Sequence, residues 1–520
     1  MQSSKSFHNY DGNDPTVLKL LDALYVDNYP VDVAEFGPII QPPKRGPIPS
    51  SSSHPTQTAW RPQGRLMAVL NEHTDRVSRI VVAPDHTFFL TASDDGTVKV
   101  WDAERLERNV SHRSRNTYRL APHAKVTSLC FIESTHAFIC TGSDGSVHAV
   151  KVDFSTSDAG NSNRYGKLRC LREWHIPTSS PGGEHAVWTE HYRGESVSTL
   201  VLATSLNRIL AIDMRTMTPL FEFHSPAQHG ALTCFCIGRR HDWLLTGTSH
   251  GVLDLWDLRF KLKLRSWTFP SAACITRLQL HPSRKTARRN RVCISGGTNR
   301  GEVTVWDIEK VICHEIYRPA TSDSKDRLHL RDYELRNLDD DKHESQLSRI
   351  ADSVRTDPSI SDSAAAATAV SSSLCFGQQQ ASNDSETQYA FAVTGGPDRR
   401  VRFWDCERLD GCRLISGGAP DEKPTYTFSA LGLDTKVLSE KLPESSSSNA
   451  TDTVESNKIS ANGSTKRNNP TKSSRYEAIR SSAQHLLNGH LDIITDVAVL
   501  ERPFGMVLSA DRSGQVFVHQ

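Results

Sequence analysis

The chain alternates apolar and polar residues in short runs, and four of these runs end alike. They are TVKVWD closing at Asp102, VLDLWD at Asp257, EVTVWD at Asp307 and RVRFWD at Asp405. Alternation with period two buries one face of a β-strand. A turn heads each run, as at Asp94-Asp95-Gly96 or His250-Gly251. Three more segments keep the frame without the Trp-Asp pair: SDGSVHAVKV (Ser143 to Val152), LNRILAID (Leu206 to Asp213) and RSGQVFVHQ (Arg512 to Gln520). That makes seven units. Several are preceded by a histidine ahead of another strand, at His73, His123, His229 and His490.

A repeat of about 40–45 residues that opens on His and closes on Trp-Asp predicts the blades of a WD-repeat β-propeller. Each blade is a four-stranded antiparallel sheet that cannot bury both faces alone, and a ring of blades covers every face. The expected class is all-β, a seven-bladed propeller over residues 65–520. Helical solenoids need apolar spacing of 3.6, which these units lack. The sequence ends at Gln520, where the last Trp-Asp pair should stand, so the seventh blade needs an outer strand from elsewhere. Arg65 to Leu70 has strand character and is expected to supply it, joining the two ends.

Residues 1–64 are expected to form a short helical extension and a linker. Asp14 caps a helix with Pro15 in its first turn, and Val17, Leu18, Leu21, Leu24 and Tyr25 form its apolar stripe. Gly37 to Pro55 is rich in Pro and Gly, a linker by composition. Three polar stretches, 153–167, 321–373 and 416–482, interrupt the blades. The last two are rich in Ser, Asp, Asn and Lys, and such composition buries too little apolar area to offset its ordering entropy. They are expected to be disordered, protruding loops.

Composition narrows the function classes. Lys plus Arg is 61 and Asp plus Glu is 60, a net charge of +1, so nothing global points to nucleic acid. No apolar run approaches the roughly 20 residues of a membrane span, and the polar start of the sequence shows no secretory signal. The 11 cysteines form no CxxC pair, which suits a reducing compartment better than a disulfide framework. The expectation is a cytoplasmic protein.

Candidate chemistry is sparse. Blade one offers His73, Thr91, Asp95 and Trp101 for the buried hydrogen-bond chain of WD blades, and His229, Trp256, Asp257, Trp306, Asp307, Asp398, Trp404, Asp405 and His490 hold corresponding places. A His–Asp–Ser/Thr group also resembles a catalytic triad, but its recurrence with the repeat favours the structural role. His250 and Arg300 occupy the turn position of blades four and five, which should depend more on packing. Cys234 and Cys236 share one strand face, yet no further ligands follow at metal spacing, and buried free cysteine is common. GGTNRG (Gly296 to Gly301) leads into a strand rather than a helix, so it is a turn and not a phosphate loop. Arg284, Lys285, Arg288, Arg289 and Arg291 form a basic loop that offers contact to acidic partners or anionic headgroups, or is simply solvated. No kinase Gly-rich loop, His-Arg-Asp loop or Asp-Phe-Gly motif occurs. No catalytic residue, metal ligand or cofactor site is expected.

Five strings carry a more particular resemblance: YDGNDP (Tyr10 to Pro15), WRPQGRLMAVLNEH (Trp60 to His73), GTSHGVLDLWDLRF (Gly247 to Phe260), TGGPDRRVRFWD (Thr394 to Asp405) and GHLDIITDVAVL (Gly489 to Leu500). Together they resemble the C-terminal propeller of the regulatory subunit family of class III phosphatidylinositol 3-kinase, the vacuolar protein sorting fifteen family. Full-length members begin with a serine/threonine protein-kinase-like domain, often myristoylated, followed by helical repeats. Neither appears here, and Gln2 replaces the glycine that myristoylation needs, so the sequence reads as a C-terminal fragment or truncated product without kinase activity. The resemblance implies a scaffold, monomeric within a hetero-oligomer. Its expected partners are the class III catalytic subunit and beclin-type coiled-coil subunits. It would support phosphatidylinositol 3-phosphate production in autophagy and endosome-to-vacuole sorting. Its place would be peripheral, on endosomal, vacuolar and autophagic membranes, held there by its partners. The other reading is an unrelated WD-repeat adaptor, such as a ubiquitin-ligase substrate receptor, with the helix at Asp14–Tyr25 as its recruitment element.

Overall fold

The alternating runs fold as strands whose apolar faces meet between neighbouring blades. The computed structural model describes residues 36–40, 61–154, 165–178, 183–194, 197–281, 290–298, 300–320, 328–338, 373–380, 388–418, 423–432, 434–442, 489–500 and 505–520. After β1 (Leu66–Leu70), blade one is β2 (Val77–Val82), β3 (Phe88–Ser93), β4 (Thr97–Asp102) and β5 (Asn116–Arg119). A short helix α1 (Ala103–Glu107) joins its last two strands. Blade two is β6 (Val126–Phe131), β7 (Ala137–Gly142), β8 (Ser146–Phe154) and β9 (Tyr165–His175). Blade three is β10 (Ala186–Arg193), β11 (Ser198–Thr204), β12 (Arg208–Asp213) and β13 (Pro219–His224).

Blade four is β14 (Leu232–Ile237), β15 (Trp243–Thr248), β16 (Val252–Asp257) and β17 (Leu262–Thr268), edged by the two-residue β22 (Arg336–Asn337). Blade five is β18 (Ile275–Leu280), β19 (Arg291–Gly296), β20 (Val303–Asp307) and β21 (Ile312–Arg318). Blade six is β23 (Ser373–Gln380), β24 (Gln388–Gly395), β25 (Val401–Asp405) and β26 (Arg413–Ser416). Blade seven is β29 (Ile494–Leu500), β30 (Met506–Asp511), β31 (Val516–His519) and, last, β1. The first strand of each blade packs beside the first strand of the next, and β2 returns to β29, closing the ring.

Closure uses the strand that the sequence nominated. β1 runs antiparallel to β31, with Leu66 opposite His519 and Leu70 opposite Val516. The Gln63 and Arg65 amides both donate to the Gln520 carbonyl at 3.0 Å, and the Gln520 amide returns a bond to Arg65 at 2.9 Å. Ala68 and Leu70 enter a core shared by blades seven and one, with Val77, Trp101, Leu508 and Val518.

The turns explain why blades stack so closely. Gly96 has φ 78°, and a Cβ there would lie 2.6 Å from the Ala124 carbonyl oxygen at the approach to blade two. Gly145 repeats the arrangement one blade on, with φ 85° and the Glu184 carbonyl oxygen at 2.6 Å. Glycine supplies both the left-handed backbone and the missing Cβ.

The structure redraws the polar inserts. Residues 425–441, inside the stretch expected to be loop, form a hairpin of β27 (Thr425–Leu431) and β28 (Thr435–Lys441). β28 adds in parallel to β21 and extends blade five to six strands. A Ser-rich average across 416–482 concealed this short alternating segment. Within 321–373, a 3-10 turn (Leu330–Tyr333) leads to β22, which pairs with Trp267 and Thr268 of β17. β9 begins at Tyr165, inside the expected 153–167 insert. Of the N-terminal region, Phe36 is fully buried against Ile132, Ile139, Ile176 and Met214. The helix expected at Asp14–Tyr25 lies outside the described residues.

Candidate functional site

The blade histidines are built into the ring. In blade one the Trp101 indole N–H donates to Thr91 Oγ1 at 2.8 Å, and Thr91 Oγ1 meets His73 Nε2 at 2.8 Å. His73 Nδ1 meets Asp95 Oδ2 at 2.9 Å, and Thr97 donates to the other carboxylate oxygen at 2.6 Å. One orientation satisfies every group: Nδ1–H donates to Asp95 and Nε2 accepts from Thr91. Blade seven repeats the chain, with His490 Nδ1 2.8 Å from Asp511 Oδ2 and Nε2 2.7 Å from Ser509 Oγ. Both histidines are buried, so neither of them faces a substrate as a base.

Other blades depart from the expected set. In blade four His229 Nδ1 pairs at 3.0 Å with Asp254, in the middle of β16, and Ser225 and Ser266 donate to the same carboxylate. Sequence reading missed Asp254 because it looked only at the turn. The signal was there: a buried-face Asp in an otherwise apolar run, in the blade whose turn position is His250. Trp256 does not join a hydrogen-bond chain. Its ring stacks on Phe223 at 4.8 Å, and its Nε1 has no partner among the described residues. Trp306 donates to Thr304 and Trp404 to Thr394, each at 2.8 Å, without a histidine in the set.

Asp398 turns instead to Arg402, whose guanidinium lies 2.6 Å away and also meets Glu440 of the inserted hairpin at 2.7 Å. The aspartates of the Trp-Asp pairs cap turns rather than feed the chain. Asp257 accepts from the Arg259 and Phe260 amides, Asp307 from Glu309 and Lys310, and Asp405 from Glu407 and Arg408.

These carboxylates make the fold acid-sensitive. Burial raises Asp95, Asp254 and Asp511, but hydrogen bonds led by those from their histidines outweigh it and hold all three below the ordinary value. A depressed folded-state pKa contributes stability above the unfolded value near 3.9, lost as pH falls through the folded one. Thermal melts between pH 5 and pH 2 should therefore drop steeply. Asp95→Asn should lower Tm at pH 7 and flatten that drop; an unchanged slope would contradict the assignment.

The remaining candidates separate. Cys234 and Cys236 are buried, and burial pushes the Cys234 thiol up to about 12 and Cys236 well above its ordinary value. Among the described residues no group of His, Cys, Asp and Glu is arranged to hold a metal ion. No helix among them is long and apolar enough to cross a membrane. Arg291 leaves the basic loop. It opens β19 and pairs with Glu315 at 3.5 Å, because β20 and β21 bring that carboxylate beside it. Arg284, Lys285, Arg288 and Arg289 lie outside the described residues.

The surface feature that sequence reading overlooked is the rim of blade four. Phe260 is 71% exposed, and Leu262 and Leu264 are each 46% exposed. Exposed Lys261, Lys263 and Arg265 alternate with them along β17. Because β22 pairs only at Trp267 and Thr268, this part of the outer strand stays unpaired among the described residues. Exposed apolar side chains gathered on one edge make it a candidate docking surface.

Comparison with known proteins agrees with the geometry. The WD domain, G-beta repeat family matches residues 64–102 and 114–149, which cover β1–β4 and most of β5–β8. A putative serine/threonine-protein kinase VPS15 of Komagataella pastoris is 26% identical over 99% of this chain and 34% of its own length. A probable serine/threonine-protein kinase vps15 of Dictyostelium discoideum is 34% identical over 48% of this chain and 12% of its own. The serine/threonine-protein kinase VPS15 of Arabidopsis thaliana is 29% identical over 52% of this chain and 18% of its own. The chain thus spans about a third or less of the length of these relatives. One relative named VPS15 matches the chain over nearly its whole length and two others over about half of it, and with a seven-bladed WD-repeat ring as its fold the chain is similar to VPS15 proteins as a WD-repeat region.

Proposed function

We propose that this chain is a non-catalytic scaffold of the class III phosphatidylinositol 3-kinase complex. It binds the lipid-kinase subunit and beclin-type coiled-coil subunits, and so supports phosphatidylinositol 3-phosphate production in autophagy and endosome-to-vacuole sorting. Its membrane residence is peripheral and comes through those partners.

One observation carries the reading. The blade histidines His73 and His490 are hydrogen-bonded inside their blades, whereas the rim of blade four exposes apolar side chains among cations. A rigid ring whose blade histidines are internally hydrogen-bonded and whose edge is open supports docking rather than turnover. The exposed Phe260, Leu262 and Leu264 with the cations Lys261, Lys263 and Arg265 match a partner face that carries exposed apolar and acidic side chains, as the outer face of a coiled coil can. Affinity capture of the tagged chain from cells tests it. Lipid-kinase and coiled-coil subunits are the expected companions; cullin-type ligase components in their place would overturn it.

A further inference from the structure

The closed ring brings together side chains far apart in sequence. The first strands of blades one to five and seven share a register irregularity, and the residue just after it is Arg79, Ser128, Trp188, Cys234, Arg277 or Asp496. Four of these meet across the ring. The Arg79 guanidinium of blade one lies 3.8 Å from the Trp188 ring centre of blade three, and that of Arg277 of blade five lies 5.0 Å from it. Arg277 also pairs with Asp496 of blade seven at 2.6 Å. Each contact skips a blade, so it spans the axial channel.

The charges in this layer do not balance. Asp496 is taken up by Arg277 and by the Ile80 amide at 2.8 Å. Glu190, two residues beyond Trp188, accepts from its indole N–H at 3.3 Å, and burial pushes its carboxyl up to about 7. Arg79 has no carboxylate within ion-pair distance among the described residues, and its Nε and Nη1 are shut off from solvent without a hydrogen-bond partner. Burial and the neighbouring Arg277 push it down only to about 10, so it stays a cation at neutral pH. Gln279 Oε1, two residues beyond Arg277, is likewise buried without a partner. A buried cation with unsatisfied N–H groups is costly unless an anion meets it. Arg79 as a residue keeps partial exposure.

We propose that the axial channel is a binding site for one small free oxyanion, a phosphate or carboxylate, held by the Arg79 guanidinium above the Trp188 ring. Arg277 adds cationic field, and the guanidinium supplies charge-assisted hydrogen bonds of the kind that select oxyanions. The inference is independent of the partner reading above.

Calorimetric titration of the full chain, at constant ionic strength, with inorganic phosphate in one arm and sodium acetate in the other tests it. Saturable binding of one anion per chain is expected in at least one arm, and the stronger arm identifies the class. Arg79→Gln should weaken that binding at least about tenfold, the loss of a charge-assisted hydrogen bond, while Arg79→Lys retains more of it. No saturable heat from the wild type in either arm overturns the proposal, whether or not the variants fold. Equal binding by a folded Arg79→Gln chain overturns it too.

Discussion

Deleting Arg65 to Leu70 is expected to unravel blade seven and to lower the melting temperature of the whole ring. The deletion strips the outer strand from β31, exposing the ladder edge of Val516 to His519. It also removes Leu70 and Ala68 from the core between blades seven and one. Truncating one buried Leu costs about 2–5 kcal/mol, and the freed edge adds unsatisfied backbone groups. Amide exchange across Met506–His519 should accelerate, and proteolysis should begin there. Unchanged protection and melting would refute closure by this strand.

The second large effect is expected at the junction of blades five and six. Arg402 is fully buried between Asp398 at 2.6 Å and Glu440 at 2.7 Å. Glu440 also accepts from the Ala320 amide at 3.0 Å and from the Tyr426 hydroxyl at 3.3 Å, which locks the 425–441 hairpin onto the ring. Removing Arg402 strands the buried Glu440 carboxylate without its cation, a loss of about 3–5 kcal/mol. Arg402→Met should therefore destabilise strongly. Replacing both partners, as in Arg402→Met with Glu440→Leu, should recover much of that loss, because the pair's desolvation penalty disappears with it. Denaturant unfolding of the two singles and the double measures the coupling; additive losses would contradict it.

What the sequence made legible follows from range. Strand alternation, the Asp-Gly turns and the His73–Asp95 chain all lie within one repeat, so a period of about 40–45 residues exposed them. Closure was legible too, since a last blade one strand short leaves few candidates. Long-range pairing was not. Nothing local marks Arg402 as the partner of Glu440, and the 425–441 hairpin is a brief alternation inside a Ser-rich stretch. Asp254 breaks the expected position by moving the carboxylate from the turn to the strand, where His229 still reaches it. The Arg79, Trp188, Arg277 and Asp496 layer takes one residue from each of four blades, and only ring closure makes them neighbours. The rim of blade four was hidden differently: KLKLR has the alternation of any half-buried strand, and only the fold leaves both faces exposed.

The most direct test of the scaffold reading is quantitative affinity capture of the tagged chain beside a Phe260→Glu, Leu264→Glu double variant. Both side chains are exposed, so the variant should melt within a degree or two of wild type, as surface changes usually do. The account predicts that wild type captures the class III lipid-kinase and beclin-type subunits and that the variant recovers at least about tenfold less, the loss expected of an interface anchor. Failure of the folded wild-type chain to capture either subunit would contradict it.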